Sequence, residues 1–378
     1  MFGLENNYRK ICVLLQKYYK VYPKGECAIM EIKQILMDAV KKGASDIFII
    51  TGARLAYKID NKVTPQEGQP LMPSDTKSAV YDIFGLAGID IGSPDDLKSE
   101  MDFSFSIAGT GRFRANIYRQ RGSFSAVLRC VPFELPDSQK LGIPESVMNL
   151  ADTKSGIVLV TGAAGNGKST TLSCIIDRIN SSSEGHIITI EDPIEFLHKH
   201  KKCIISQREI NIDTDSYVNA LRAALRQAPN VILVGEMRDF ETINIAMTAA
   251  ETGQLVLSTL HTNGAANTVD RIIDVFPTNQ QHQIRVQLSM VLRAVVTQQL
   301  VPAVGGGLVP AFEIMNVNNA IRTMIREQKT HQIETILQSE SGMQTMDSAL
   351  MKLYKDGVIS AETAVSYAYN PEMMSKRI

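Results

Sequence analysis

Hydrophobic positions change rhythm along the chain. From Glu31 to Lys42, Ile32, Ile35, Leu36 and Val40 recur at helical spacing and the run stops at Gly43, which predicts a short helix. Period 2 follows. Ile47 to Ile50 reads as a strand, Leu55, Tyr57 and Ile59 alternate up to a turn at Asp60-Asn61, and Phe103, Phe105 and Ile107 alternate up to Gly109-Thr110-Gly111. In the next run, Arg112 to Tyr118, alternation places Phe113, Ala115 and Ile117 inside and both arginines on the other face. A partner strand follows Arg121-Gly122 and runs to Leu128 and Arg129. Together these elements make a small α+β domain that ends near Pro132 to Pro136.

From Gly156 the strands become continuously apolar. Ile157 to Val160, Ile187 to Ile190, Val231 to Val234 and Leu255 to Leu257 alternate with helical segments at Thr170 to Ile179, Tyr217 to Arg226 and Phe240 to Ala250. Apolar strands separated by helices imply an α/β domain whose parallel sheet is covered on both faces. In such sheets chemistry gathers at the carboxyl ends of the strands, here Gly162 to Ser169, Glu191 to Glu195, Gly235-Glu236 and His261. Beyond Gln280 the pattern predicts mostly helix, with one strand-like stretch at Val309 to Ile314, and no internal repeat appears.

Composition narrows the class. A chain of 378 residues, 44% of them hydrophobic, suggests two or three domains with an ample core and excludes disorder. Its net charge of −1 argues against wrapping nucleic acid, which needs a basic excess or stripe. Cys12, Cys27, Cys130, Cys174 and Cys203 are scattered, without CxxC spacing, as expected of reduced thiols in a cytosolic protein. No apolar run approaches the ~18 residues of a membrane span. The first 30 residues carry five Lys/Arg and four of the 11 tyrosines, which predicts a short basic helix rather than a secretory leader.

The chemistry-bearing motif is Gly162-Ala163-Ala164-Gly165-Asn166-Gly167-Lys168-Ser169, a GxxxxGK[ST] loop between a strand and a helix. Glycines let successive backbone N–H groups face a phosphate, and the helix beginning near Lys168 adds its positive end. Lys168 reaches the β and γ phosphates and Ser169 ligates Mg²⁺, with Thr170 completing the ATP-binding loop. Such a loop needs a carboxylate on the neighbouring strand, and Glu236 at the end of Val231-Ile-Leu-Val-Gly supplies it for the metal. Hydrolysis also needs a group to orient or deprotonate water. The run Glu191-Asp192-Pro193-Ile194-Glu195 offers three acids, among which spacing does not choose. His261, in Ser258-Thr-Leu-His-Thr262, sits where a γ-phosphate sensor could sit, although a lone histidine at a strand end is more often a structural hydrogen-bonder.

The stretches TGAAGNGKSTTL, ITIEDPIEF, ILVGEMRDFETI, AAETGQLVLSTLHT, DRIIDVFP and AIRTMIRE occur in the order and spacing of the PilT-like retraction ATPases of type IV pili, within the type II/IV secretion ATPase superfamily. The resemblance runs from about Met30 to Pro371. It implies a RecA-like P-loop ATPase domain preceded by a smaller PAS-like α+β domain, assembled as a homohexamer that hydrolyses ATP with Mg²⁺. It selects Glu195 as the catalytic glutamate, Glu236 as the Walker B acid and His261 as the second histidine of the His box. The first is replaced: Gln254 stands where the family commonly has histidine, and an amide cannot become cationic. GAAGNGKS likewise replaces the more usual GPTGSGKS.

The resemblance also marks Arg112, Arg114, Arg121 and Arg129 as a set from which some approach the γ-phosphate, solvated strand-face charge being the plainer reading for each. Ala320 to Glu327 reads as an amphipathic helix, with Ile321, Met324 and Ile325 on one face and Arg322 and Arg326 on another. With the resemblance, these arginines become candidates for docking or for transmitting motion. The expected division is a basic extension over 1–29, the PAS-like domain over 30–135, a linker over 136–150, the RecA-like domain over 151–345 and a helical tail over 346–378. The extension is expected to be an added helix, or to precede a true start at Met30. The implied function is pilus retraction from the cytoplasm, with the ring peripheral to the membrane and docked on an inner-membrane platform protein, and with no nucleic acid bound. Rival readings are an accessory PilU-like retraction paralogue acting beside a main motor, a pilus assembly or type II secretion ATPase, a RecA-like DNA motor and a non-enzymatic P-loop scaffold.

Overall fold

The structure, a computed structural model, describes residues 32–59, 62–90, 100–131 and 135–378. The expected extension over 1–29 and the turn at Asp60-Asn61 lie outside them. Contacts divide the chain into two compact units, one comprising residues up to Glu100 with Ile117–Val127, the other Met101–Asn116 with Leu128–Ile378.

The early strands are β1 (Asp46–Ile50), β2 (Ala56–Ile59), β3 (Lys62–Pro65), β4 (Met101–Ile107), β5 (Gly111–Gln120) and β6 (Ser123–Val131), in the sheet order β3-β2-β1-β6-β5-β4. The helix Ile32–Lys41 buries Ile32, Ile35, Leu36 and Ala39, and Gly43 ends it with a left-handed backbone, φ 69°. Along β5, Phe113, Ala115 and Ile117 are buried and Arg114 is exposed, as alternation requires. Arg121 and Gly122 both have positive φ, 49° and 77°, the geometry of a two-residue hairpin turn that continues the strand twist.

The seven-stranded sheet has the order β13-β12-β7-β11-β10-β8-β9. Its strands are β7 (Gly156–Thr161), β8 (Gly185–Glu191), β9 (Cys203–Glu209), β10 (Val231–Val234), β11 (Leu255–Leu260), β12 (Leu292–Pro302) and β13 (Leu308–Asn316). All pairings are parallel except that of β13 with β12. Every residue of β7, β10 and β11 is buried, which is why Ile157 to Val160, Val231 to Val234 and Leu255 to Leu257 read as unbroken apolar runs. Neighbouring residues serve opposite faces. Ile157 and Leu159 join one core with the helices Tyr217–Ala224, Phe240–Glu251, Ala265–Asp274 and Thr278–Val291. Val158 and Val160 join the other with the helix Lys168–Ser182 and with Val147, Met148 and Leu150. The stretch 136–150 therefore contributes core residues.

The chain after Gln280 differs from the helical reading. The helix Thr278–Val291 passes straight into β12, which pairs with β7 on the inner side and β13 on the outer. No glycine or proline separates helix from strand, and Leu292 and Val295 continue the apolar pattern, so the change of period has no local marker. β9 is also unannounced, because Ser206, Gln207, Arg208 and Glu209 make most of Cys203–Glu209 polar. Farther on, the helix Asn319–Arg326 buries Ile321 and Ile325 and leaves Arg326 exposed, the amphipathic arrangement expected. The last helices, Met346–Lys355, Ala361–Tyr367 and Pro371–Ser375, form a separate core with Val301 and Ala311 of the β12-β13 pair.

The start of β7 tolerates only glycine. Gly156 has φ 107°, and a β-carbon there would lie 2.4 Å from the Val291 carbonyl oxygen and 2.7 Å from Arg293 Cγ. Gly156→Ala is expected to destabilise the protein by about 2 kcal/mol or more, from backbone strain together with overpacking. Thermal denaturation checks this, and an unchanged midpoint would contradict it.

Candidate active site

The carboxyl ends of β7, β8, β10 and β11 surround a cleft of about 470 Å³, lined among others by Lys168, Ser169, Glu195, Glu236 and His261. One wall is the loop after β7. Gly162 has φ 134°, and a β-carbon on it would sit 2.3 Å from the Gln298 carbonyl oxygen, so the loop's first position must be glycine. Gly167, with φ 76°, caps the helix Lys168–Ser182, and Ser169 and Thr170 lie in its first turn, where N–H groups lack helical partners. Gly165, Ala164, Gly167, Ser169 and Thr170 all line the cleft.

The remaining loop residues hold it in place. The Gly162 and Ala163 carbonyls each accept a hydrogen bond from Lys168 Nζ at 2.9 Å. Asn166 Oδ1 accepts from the Leu300 N–H at 3.2 Å. That N–H lies on β12 beyond Thr297, where pairing with β7 ends, so the Asn166 side chain extends the sheet across the gap. Thr171 Oγ1 donates to Gln298 Oε1 at 2.7 Å from the helix behind the loop. The unannounced strand β12 is therefore the loop's floor.

Lys168 is buried, and loss of hydration lowers the pKa of its ammonium, an effect partly offset by the negative charges of Glu236 and Glu195. Its Nζ also lies 3.4 Å from His261 Nδ1, while His261 Nε2 lies 3.4 Å from Glu236 Oε2. With an ammonium facing Nδ1, the imidazole proton belongs on Nε2, facing the carboxylate. His261 thus stands between the loop lysine and Glu236. Glu236 is paired as well with Arg238, Nη2 to Oε2 at 2.7 Å.

The strand bearing Glu236 is not the direct neighbour of β7. β11 lies between β7 and β10, so Glu236 reaches the cleft from the second strand over, while His261 follows the adjacent strand. The offset is bridged by hydroxyls of β11: Ser258 Oγ donates to the Val234 carbonyl at 2.7 Å and Thr259 Oγ1 to the Gly235 carbonyl at 2.6 Å. Tyr217, another lining residue, closes this end so tightly that a β-carbon on Gly235 would lie 2.8 Å from its hydroxyl oxygen. Burial raises the Tyr217 pKa, reinforced by Asp192, Glu191 and Glu236.

Three acids of the Glu191 to Glu195 run line the cleft, and they differ in environment. Glu195 and Asp192 are exposed to it, and the Asp192–Pro193 peptide is cis. Glu191 accepts from Thr189 Oγ1 at 2.6 Å and Gln207 Nε2 at 3.3 Å, yet burial pushes its pKa up to about 7. Geometry thus separates an accessible carboxylate, Glu195, from one that is protonated well into the neutral range.

Of the arginine set, Arg112 pairs with the buried Glu209 at 2.9 Å, and Arg114 and Arg129 are exposed; none of these is among the cleft's lining residues. Arg121, in the first unit, is exposed at its hairpin turn. Gln254 precedes β11 at the end opposite His261, roughly 20 Å away for six extended residues, and its Oε1 accepts from Thr252 Oγ1 at 2.7 Å. The missing imidazole is therefore remote from Lys168 and Glu236. Sequence reasoning missed Arg238, Thr259 and Tyr217; only the ends of strands distant in sequence bring them together.

Glu191 makes stability depend on pH. A carboxyl whose folded pKa is raised contributes stability below its unfolded pKa, near 4.5, that is lost as pH rises through about 7. Glu191→Gln is therefore expected to gain stability relative to the parent between pH 5 and pH 8. Melting both proteins at the two pH values checks this, and a pH-independent difference would contradict it.

The chain is similar to known proteins over most of its length. The family model described as "Type II/IV secretion system protein" matches residues 24–306. The type IV pilus retraction ATPase PilT of Pseudomonas aeruginosa is 43% identical over 347 residues, 91% of this chain and 99% of that protein. The type IV pilus ATPase PilU of the same organism is 40% identical over 342 residues, 90% of this chain and 89% of that protein. A crystal structure of the pilus retraction motor PilT with bound ADP superimposes with a TM-score of 0.83 at 45% identity, covering 92% of this chain and 99% of that one. With its P-loop, its acid-bearing strand ends and this likeness across nearly the whole chain, the protein belongs to the type II/IV secretion system ATPase family.

Proposed function

We propose that this protein is a motor ATPase that hydrolyses ATP to power retraction of type IV pili. The observation that carries the reading is the convergence of Lys168, Ser169, Glu195, Glu236 and His261 on one cleft, in a chain that aligns with a retraction ATPase over nearly its full length.

The loop from Gly162 to Thr170 would cradle the phosphates. Its glycines admit close backbone approach, the helix start presents unpaired N–H groups, and the Lys168 ammonium, shared between two carbonyls, lies at the cleft wall ready to turn toward an anion. The donor set suits Mg²⁺, a hard cation that keeps waters and takes few protein ligands: Ser169 and Glu236 are oxygen donors. Among the described residues no cluster of three or more His, Cys, Asp or Glu forms a metal cage, which fits an ion held largely by phosphates. Bound there, Mg²⁺ would neutralise developing charge on the phosphates. Glu195 is the acid suited to orient or deprotonate the attacking water, being accessible where Glu191 is only partly exposed and its pKa is raised by burial. His261 would relay the state of the phosphate site from Lys168 to Glu236.

The protein acts as a homohexamer at the cytoplasmic face of the inner membrane, docked on the platform protein of the pilus machine. Among the described residues no helix is long and apolar enough to cross a membrane. Work as an accessory motor beside a retraction paralogue is the second reading, favoured by the 40% identity to PilU.

Lys168→Ala and Glu236→Ala are expected to lose ATP hydrolysis by a factor of at least ~10² while keeping the native circular dichroism spectrum. Introduced into a strain lacking every retraction ATPase, the parent chain should restore pilus retraction and Lys168→Ala should not. Turnover at the parent rate in either variant would overturn the site assignment, and failure of the parent to act alone would select the accessory reading.

A further inference from the structure

Glu195 stands on a segment between β8 and β9 with no regular secondary structure, so nothing in the sheet itself fixes its position. Backbone groups on both sides of it are nevertheless held. The Ile194 N–H donates to Glu209 Oε2 at 3.1 Å, the Phe196 carbonyl accepts from Gln207 Nε2 at 2.9 Å, and the His198 N–H donates to Gln207 Oε1 at 2.8 Å. Gln207 and Glu209 are two residues apart on β9 and therefore project from the same face of the strand. They grip the chain on both sides of Glu195.

The grip is itself anchored. Glu209 is buried at 3% exposure, a position that a carboxylate occupies only when paired and hydrogen-bonded. Arg112 Nη2 donates to its Oε2 at 2.9 Å and Ser104 Oγ to its Oε1 at 2.8 Å, while its own N–H donates to Asp213 Oδ2 at 2.8 Å. Gln207 Nε2 also reaches Glu191 Oε1 at 3.3 Å, joining the clamp to the end of β8. None of these bonds involves Lys168 or the phosphate loop.

We infer that Gln207 and Glu209 are positioning residues that set the location of Glu195 in the cleft, with Arg112 serving as the counter-ion that lets Glu209 do so. The inference rests on the reading of Glu195 as the residue that prepares the attacking water. It gives β9, an edge strand, a catalytic purpose, and it gives Arg112 a role apart from contact with phosphate. The physical basis is that a displacement of ~1 Å at a reacting group can lower turnover ~10²-fold, whereas nucleotide affinity depends on the loop after β7, which the clamp does not touch.

Gln207→Leu is the lead variant, because Gln207 is half-buried and its loss strands no charge. Expected are a fall in kcat of about tenfold or more, an ADP dissociation constant within about twofold of the parent, and faster backbone hydrogen exchange across 194–198. Glu209→Gln, which keeps an acceptor for the Ile194 N–H, should lose less turnover than Glu209→Leu. A parent-like kcat in Gln207→Leu would overturn the positioning role while leaving the ATPase reading intact. Exchange across 194–198 no faster than in the parent would overturn the clamp whether or not the protein hydrolyses ATP.

Discussion

A buried ammonium organises this molecule. Lys168 lies inside the carboxyl edge of a parallel sheet, where a cation is tolerated only if its protons are accepted and its charge is balanced. The two loop carbonyls that take its protons force the chain after β7 to curl back on itself, which in turn demands glycine at 162, hard against the Gln298 carbonyl. The negative charges that offset its burial, Glu236 and Glu195, arrive from other strands. The same arrangement that makes the folded state electrically tolerable therefore gathers the groups proposed to bind and cleave a phosphoanhydride.

Around that charge, the edges of the sheet act as scaffolding for its centre. β7, β10 and β11 are buried throughout and largely apolar, so most of what they bring to the site stands at or beyond their carboxyl ends, with Thr259 of β11 the polar lining residue within these strands. Support comes from the flanks. β12 braces the phosphate loop through Gln298 and Leu300, and its partner β13 carries Glu313, whose carboxylate accepts the N–H groups of Ala265 and Met346 at two helix starts. On the other side β9 holds the segment bearing Glu195. The outer strands also carry larger buried polar side chains, Glu209, Gln298 and Glu313, each hydrogen-bonded to a neighbouring segment whose position it helps to define.

Much of this was legible from residue order. Where both faces of a strand are covered, a run of mostly apolar residues marks it, as for β7, β8, β10 and β11. Where one face is covered, alternation marks it, as for Phe113, Ala115 and Ile117. The phosphate loop is readable because its chemistry is local: the glycines, lysine and serine act within one turn of chain. β12 was hidden because no breaker interrupts the passage from helix to strand, and β9 because its polar residues face a loop rather than water.

Order along the chain thus determined the α/β class, the position of the phosphate loop and the set of acids near it, since each follows from periodicity or from contacts within a few residues. Tertiary structure alone decided which of those acids is accessible and which is driven toward neutrality, that Glu236 comes from the second strand over rather than the first, and that Gln254 lies at the far end of β11 from His261. It also turned Arg112 toward Glu209. These outcomes depend on strand order and on desolvation, and both arise from packing residues far apart in sequence, which no local pattern encodes.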